Sequence, residues 1–325
     1  MPRTTKPVRK RIAVWAFVLT PVLLTFSLVP TISSRGWNLS REGVAKSAKS
    51  NRDSDGQSRG EAAATLSHSL GELKFTYDKR KRFRGSAAIH SALIGQEAVD
   101  RIVGELKKQI ALPFDIHVVF EECGDEDAFY DRETHEIIVC YELIDGYYYL
   151  FSHKLKARAA RNEAAKGAIV SIFLHEVAHA LIDGWELPIT GREEDAADQF
   201  ATLWLINGMA DGEQMALNSA RSFKLFAHLE RGQKKVYSDP HSLDEQRFYD
   251  TICLIYGHRP EKYEYLIREG TLPAERAVDC EEDYARLNKS WQTLLAPHLV
   301  KRTAASLRFD TLGFLRVPGY SSSTP

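Results

Sequence analysis

Three residues on one short stretch, His175, Glu176 and His179, have the types and the spacing for metal-assisted hydrolysis. Two His four apart leave a helix on the same face, because four helical steps nearly complete a turn. Their imidazoles can then bind one metal ion, and Glu176 between them can take a proton from a water that the ion activates. A third ligand is expected from Glu194, with Asp195 and then Glu193 as the rivals beside it. Two His and one carboxylate suit a single zinc ion with one position left open, as in catalytic rather than structural sites. The same set also forms the facial triad of non-haem iron, but the intervening Glu176 favours zinc hydrolysis.

The elements that must carry these residues are legible on either side. Ala168 to Leu174 and Ala178 to Ile182 are mostly apolar, so His175 and His179 belong to a largely buried helix that should stop at Gly184. Pro188 and Gly191 mark a short connection. Glu193 to Leu205 is helical again, with apolar spacing from Ala196 to Leu205. Glu194 and Asp198 share a face of that helix. Asp198 is expected to accept a hydrogen bond from the outer ring nitrogen of a ligand His, His175 first, and so fix its tautomer. Taken without that neighbour, four acids opening a helix would be a solvated face that suits the helix dipole.

On these residues the chain resembles the gluzincin metallopeptidases, where HExxH is completed by a Glu on the following helix. It is similar more specifically to the metallopeptidase family called domain of unknown function 4344. Cys123 to Asp131, Ile138 to Leu143, Gly191 to Asp198 and His241 to Tyr249 carry that similarity, which runs from about Gly71 to about Leu299. Ala178 stands where the pattern suggests Gly, a small-for-small change. The resemblance implies a zincin-like peptidase site and names no substrate.

An oxyanion donor opposite the metal is also expected. His241 is the first candidate, then Arg247 and Tyr249; a turn, a surface pair and core packing are their plain alternatives. The reaction expected is peptide-bond hydrolysis with Glu176 as general base. A non-proteolytic zinc protein that holds a peptide or envelope partner, and an amidase acting on cell-wall peptides, are the competing readings.

Arg3, Lys6, Arg9, Lys10 and Arg11 precede an uncharged run from Ile12 to Ser34. That is an export signal, long enough to span a bilayer and read as a signal anchor over residues 1–34. A peptide cleaved on secretion is the alternative. Residues 35–69, rich in Ser, Gly and charge, read as a flexible linker, 70–300 as the zincin-like domain and 301–325 as a tail. Four cysteines fit an oxidising, extracytoplasmic compartment, and sequence-local pairing gives Cys123 with Cys140 and Cys253 with Cys280. A formal net charge of −1 and the lack of a basic stripe argue against a nucleic-acid partner. The basic run Lys79 to Arg82 reads as solvated surface.

Leu93 to Ile110 shows helical spacing, while Ile116 to Phe120 and Glu136 to Tyr141 read as strands around a turn-rich middle. His117 and His135 are expected to be ordinary strand residues, and Tyr147 to Tyr149 to serve packing. The expected fold is α+β: a small antiparallel sheet beside the HExxH helix, then a mainly helical half. Glu136 to Tyr141 is the expected edge strand, where an extended substrate would add to the sheet.

Overall fold

The computed structural model describes residues 71–77 and 97–300. The expected signal anchor, linker, basic run at Lys79 to Arg82, first turn of the helix at Leu93 and C-terminal tail lie outside the described residues. Strand β1 (Leu73–Tyr77) and helix α1 (Glu97–Gln109) are followed by β2 (Ile116–Glu121), β3 (Ala128–Asp131) and β4 (Glu136–Cys140). Six helices come next: α2 (Tyr141–Ser152), α3 (Arg158–Gly184), α4 (Glu193–Gly208), α5 (Gly212–Leu229), α6 (Asp244–His258) and, after two single turns, α7 (Ala274–Leu295). The class is α+β, and most of the described chain is helical.

The sheet corrects two expectations. Its order is β1-β2-β4-β3, with β1 parallel to β2, β2 parallel to β4, and only β3 antiparallel to β4. It is therefore mixed rather than antiparallel. The turn-rich middle contains a strand of its own, and the chain reverses once before β3 and once before β4. Two reversals restore the original direction, so β2 and β4 run the same way. Glu136 to Cys140 is consequently an inner strand, buried at four of its five positions. Continuous burial of this kind belongs to a strand covered on both faces. The edge is β3, with every residue half-buried. His135 sits in the hairpin turn rather than in a strand, at φ 54°, with its ring stacked on Phe114.

Helix α3 is the axis of the protein. Its 27 residues bury one unbroken run from Gly167 to Ser171 and another from Phe173 to Ala178. By length and composition this helix could cross a membrane, but 83% of its most apolar window is buried inside the protein, as in a core helix. It contacts α2, α4 and α5 on one side and β3 and β4 on the other. The helix does end at Gly184, though not through a left-handed glycine: Gly184 lacks positive φ. A Cβ there would lie 2.4 Å from Pro113 Cγ, so Gly184 lets the segment before β2 pass close by.

The four cysteines form two disulfides, Cys123–Cys140 and Cys253–Cys280, with Cα separations of 5.5 and 5.0 Å. The first ties the segment after β2 to the end of β4, and the second ties α6 to α7. Two disulfides fit an oxidising, extracytoplasmic compartment. Tyr147 is buried edge-on against Phe226, whereas Tyr149 is exposed.

Candidate metal centre

Helix α3 supplies His175 and Glu176, both buried, and His179, which is half-buried. Helix α4 begins at Glu193, so Glu193, Glu194 and Asp195 all fall in its first turn, where the dipole favours carboxylates. The two helices bring three atoms together. His175 Nε2 lies 3.1 Å from His179 Nε2 and 3.1 Å from Glu194 Oε2, and His179 Nε2 lies 3.3 Å from that same oxygen. Ligand atoms on one face of a tetrahedral zinc stand roughly 3.3 Å apart, given bonds of about 2.0–2.1 Å. The triangle has that size.

The donor chemistry fits a cation as well as the size does. His175 Nδ1 faces Asp198 Oδ1 at 2.8 Å, and His179 Nδ1 faces Glu193 Oε1 at 2.7 Å. When both Nδ1–H groups donate outward, both Nε2 atoms present lone pairs inward. Glu194 adds a third acceptor to the same point, and three converging lone pairs favour a positive charge among them. The same field acts on protons. Burial pulls His175 down, but the charge and hydrogen bond of Asp198, then Glu194, outweigh it and push it up to about 10. His179 is raised too, against its burial, first by its hydrogen bond to Glu194. Burial pushes Glu194 up, yet hydrogen bonds from His175, His179 and His241 hold it far below the usual carboxylate range.

Glu176 is 5% exposed, and burial raises its carboxyl group; His175 and His179 oppose that rise, as does a backbone hydrogen bond from Tyr130. A carboxylate raised in this way is suited to accept a proton near neutral pH. It sits where edge strand β3 meets α3.

His241, on the segment between α5 and α6, comes to the same centre. Its Nε2 is 2.9 Å from Glu194 Oε2, its Nδ1 is 3.1 Å from Asp239 Oδ1, and its ring stacks over His175 at 5.9 Å. His175, Glu194 and His241 form one compact group able to hold a metal. The rival ligands are engaged elsewhere: Asp195 accepts from the Ser242 hydroxyl at 2.7 Å, and Glu193 lies on the outer nitrogen of His179. Arg247 holds Asp198 with two hydrogen bonds of 2.7 and 2.8 Å, and its guanidinium lies 4.1 Å from the centre of the Phe223 ring. Its donors are thus directed at Asp198. Tyr249 is 38% exposed and packs edge-on against Phe248.

Sequence reasoning missed three contributors. Glu193 reads from the sequence as a rival ligand or a solvated acid, not as the partner of His179. Arg132, whose Nη2 reaches both Glu193 oxygens at 2.6 and 2.8 Å, comes from the hairpin turn. Tyr130 donates its hydroxyl to Asp183 at 3.0 Å. Neither Arg132 nor Tyr130 shares a periodic pattern with the HExxH helix; only the fold brings them there.

No curated protein and no solved structure matches the chain. Residues 78–295 match the family domain of unknown function 4344, whose description reads "Putative metallopeptidase". That match covers the HExxH helix, the carboxylates of α4, the His241 segment and both disulfides, and the chain belongs to this metallopeptidase family.

Proposed function

We propose that the protein is a zinc-dependent peptidase, exported and held at the membrane by its N-terminal segment. The observation that carries the reading is the triangle of His175, His179 and Glu194 with the buried carboxyl of Glu176 beside it. One zinc ion held by those three residues would supply a Lewis acid for the scissile carbonyl and the attacking water. Glu176 takes the proton of that water and later delivers it to the leaving nitrogen. Asp198 and Glu193 hold the two imidazoles in the tautomer that directs each Nε2 inward. His241, protonated on both ring nitrogens between Asp239 and Glu194, presents a donor beside Glu194 and serves the developing oxyanion. Edge strand β3, with its Tyr130 backbone on Glu176, is where an extended peptide adds to the sheet. The basic residues before Ile12, the uncharged run to Ser34 and the two disulfides support the exported, anchored arrangement.

The test compares the full chain with its Glu176→Gln variant, both loaded with zinc, on a diverse peptide mixture read by mass spectrometry. Wild type is expected to cut. The variant should keep its zinc and lose the cuts by at least about 100-fold, in line with removal of a general base. Equal cutting by both proteins sinks the assignment of Glu176, and no cutting by a zinc-loaded wild type sinks the peptidase reading.

A further inference from the structure

We propose that Arg132, in the turn between β3 and β4, is a positioning residue that acts through Glu193 on His179 and makes the metal centre depend on the edge hairpin. The inference rests on the metal reading above. Each histidine of the HExxH helix has its own relay of carboxylate and arginine. His175 leans on Asp198 and Arg247, whose side chains are only 20% and 12% exposed. His179 leans on Glu193 and Arg132, and here the arginine side chain is 56% exposed. The two relays approach from opposite parts of the fold, α6 for the first and the sheet for the second.

The hairpin is built to hold Arg132 in place. Asp131 Oδ1 accepts from the backbone N–H of Glu133 at 2.9 Å and of Thr134 at 3.2 Å, which fixes the turn. Strand β3 itself touches α3 at two further points: the Tyr130 backbone at Glu176, and the Tyr130 hydroxyl at Asp183. Arg132 Nη1 stands 3.9 Å from the same Asp183. One short strand therefore grips the general base, the end of α3 and the partner of a ligand histidine. Nη2 meets both Glu193 oxygens while Nη1 faces Asp183, so one planar guanidinium addresses two carboxylates at once, which the single nitrogen of an ammonium does not. Because β3 is an outer strand, whatever adds to its free edge bears on Arg132, and through Glu193 on the direction of His179 Nε2.

A half-exposed relay has a property that a buried one lacks: salt screens it. In the full chain, zinc and cobalt affinities measured by competition with a chromophoric chelator should fall about 10-fold in Arg132→Gln, the lower end for loss of a partner behind a ligand. Arg132→Lys should recover part of that loss. The visible absorption of bound cobalt should shift in Arg132→Gln, and the wild-type affinity should weaken with ionic strength more steeply than that of the variant. The decisive comparison is the double variant: in a Glu193→Gln background, Arg132→Gln should change the affinity no further. Wild-type affinity and an unaltered cobalt spectrum in Arg132→Gln overturn the inference alone. So does a full Arg132 effect that persists without the Glu193 carboxylate. A wild-type chain that takes up neither ion overturns the metal reading and this inference together.

Discussion

At the scale of single residues, the centre concentrates buried charge, and one consequence falls outside it. Asp244 opens α6, one turn before Arg247. Burial pushes its carboxyl up to about 6; Arg247 opposes that rise, and Glu230 adds to it. The hydrogen bonds of Arg247 go to Asp198, so it opposes the rise by its charge alone. Between the unfolded value of 3.8 and about 6, the folded chain binds more protons than the unfolded one, so Asp244 costs stability as pH rises through that window. Asp244→Asn should therefore raise stability by up to about 3 kcal/mol above roughly pH 7 and leave it unchanged below about pH 3. Urea unfolding at the two pH values checks this, and a gain of equal size at both rejects the linkage. This burial could not be read from sequence, where Asp244 looks like any acidic residue at a helix start. His175, His179, Glu194 and Asp198 were legible for the opposite reason: each pair lies on one helix, where the 3.6-residue period alone fixes a shared face. Glu193 and Arg132 meet across separate elements, and no period relates them.

Among the elements, the helices were legible and the sheet was not. Amphipathic spacing marks α3 and α4 because each presents an apolar side to the core over several turns. The strands are four to six residues long, and their direction depends on how many times the intervening chain reverses. Composition between Glu121 and Glu136 signals turns without counting them, so β3 is not visible there and Glu136 to Tyr141 reads as the edge. Close helix approach was also hidden. Gly257 on α6 faces α7 so tightly that a Cβ would lie 2.1 Å from the Cys280 carbonyl oxygen and 2.9 Å from Tyr284 Cβ. The Cys253–Cys280 disulfide spans the same interface. Gly257→Ala should thus destabilise the protein by about 1–3 kcal/mol, despite the better helix propensity of Ala, because the obstructing atom is backbone held by a covalent link. A thermal midpoint equal to or above wild type would show that α6 and α7 can separate at little cost. Since α6 carries Arg247, the same variant should also loosen Asp198.

For the whole molecule, the candidate centre is a joint between elements that are otherwise connected mainly by packing. Two of its ligands come from α3 and the third from α4, two helices that pack directly on each other. A metal bound there ties those helices together only in the folded chain, so its binding free energy adds to stability. At free zinc about 1,000 times the dissociation constant, the gain is about 4 kcal/mol. For a domain of this size, each kcal/mol moves the thermal midpoint by roughly 2–4 °C, so the shift on loading should be roughly 8–16 °C. Removing zinc with a chelator should lower the midpoint by that amount, and adding the metal back should restore it. The variants separate binding from chemistry. Glu176→Gln should keep the whole shift, because its carboxyl is not among the three converging donors. His179→Ala should lose it. A wild-type midpoint indifferent to both chelator and zinc would mean that the convergence of His175, His179 and Glu194 holds no ion, and that a proton on His175 alone balances their charge.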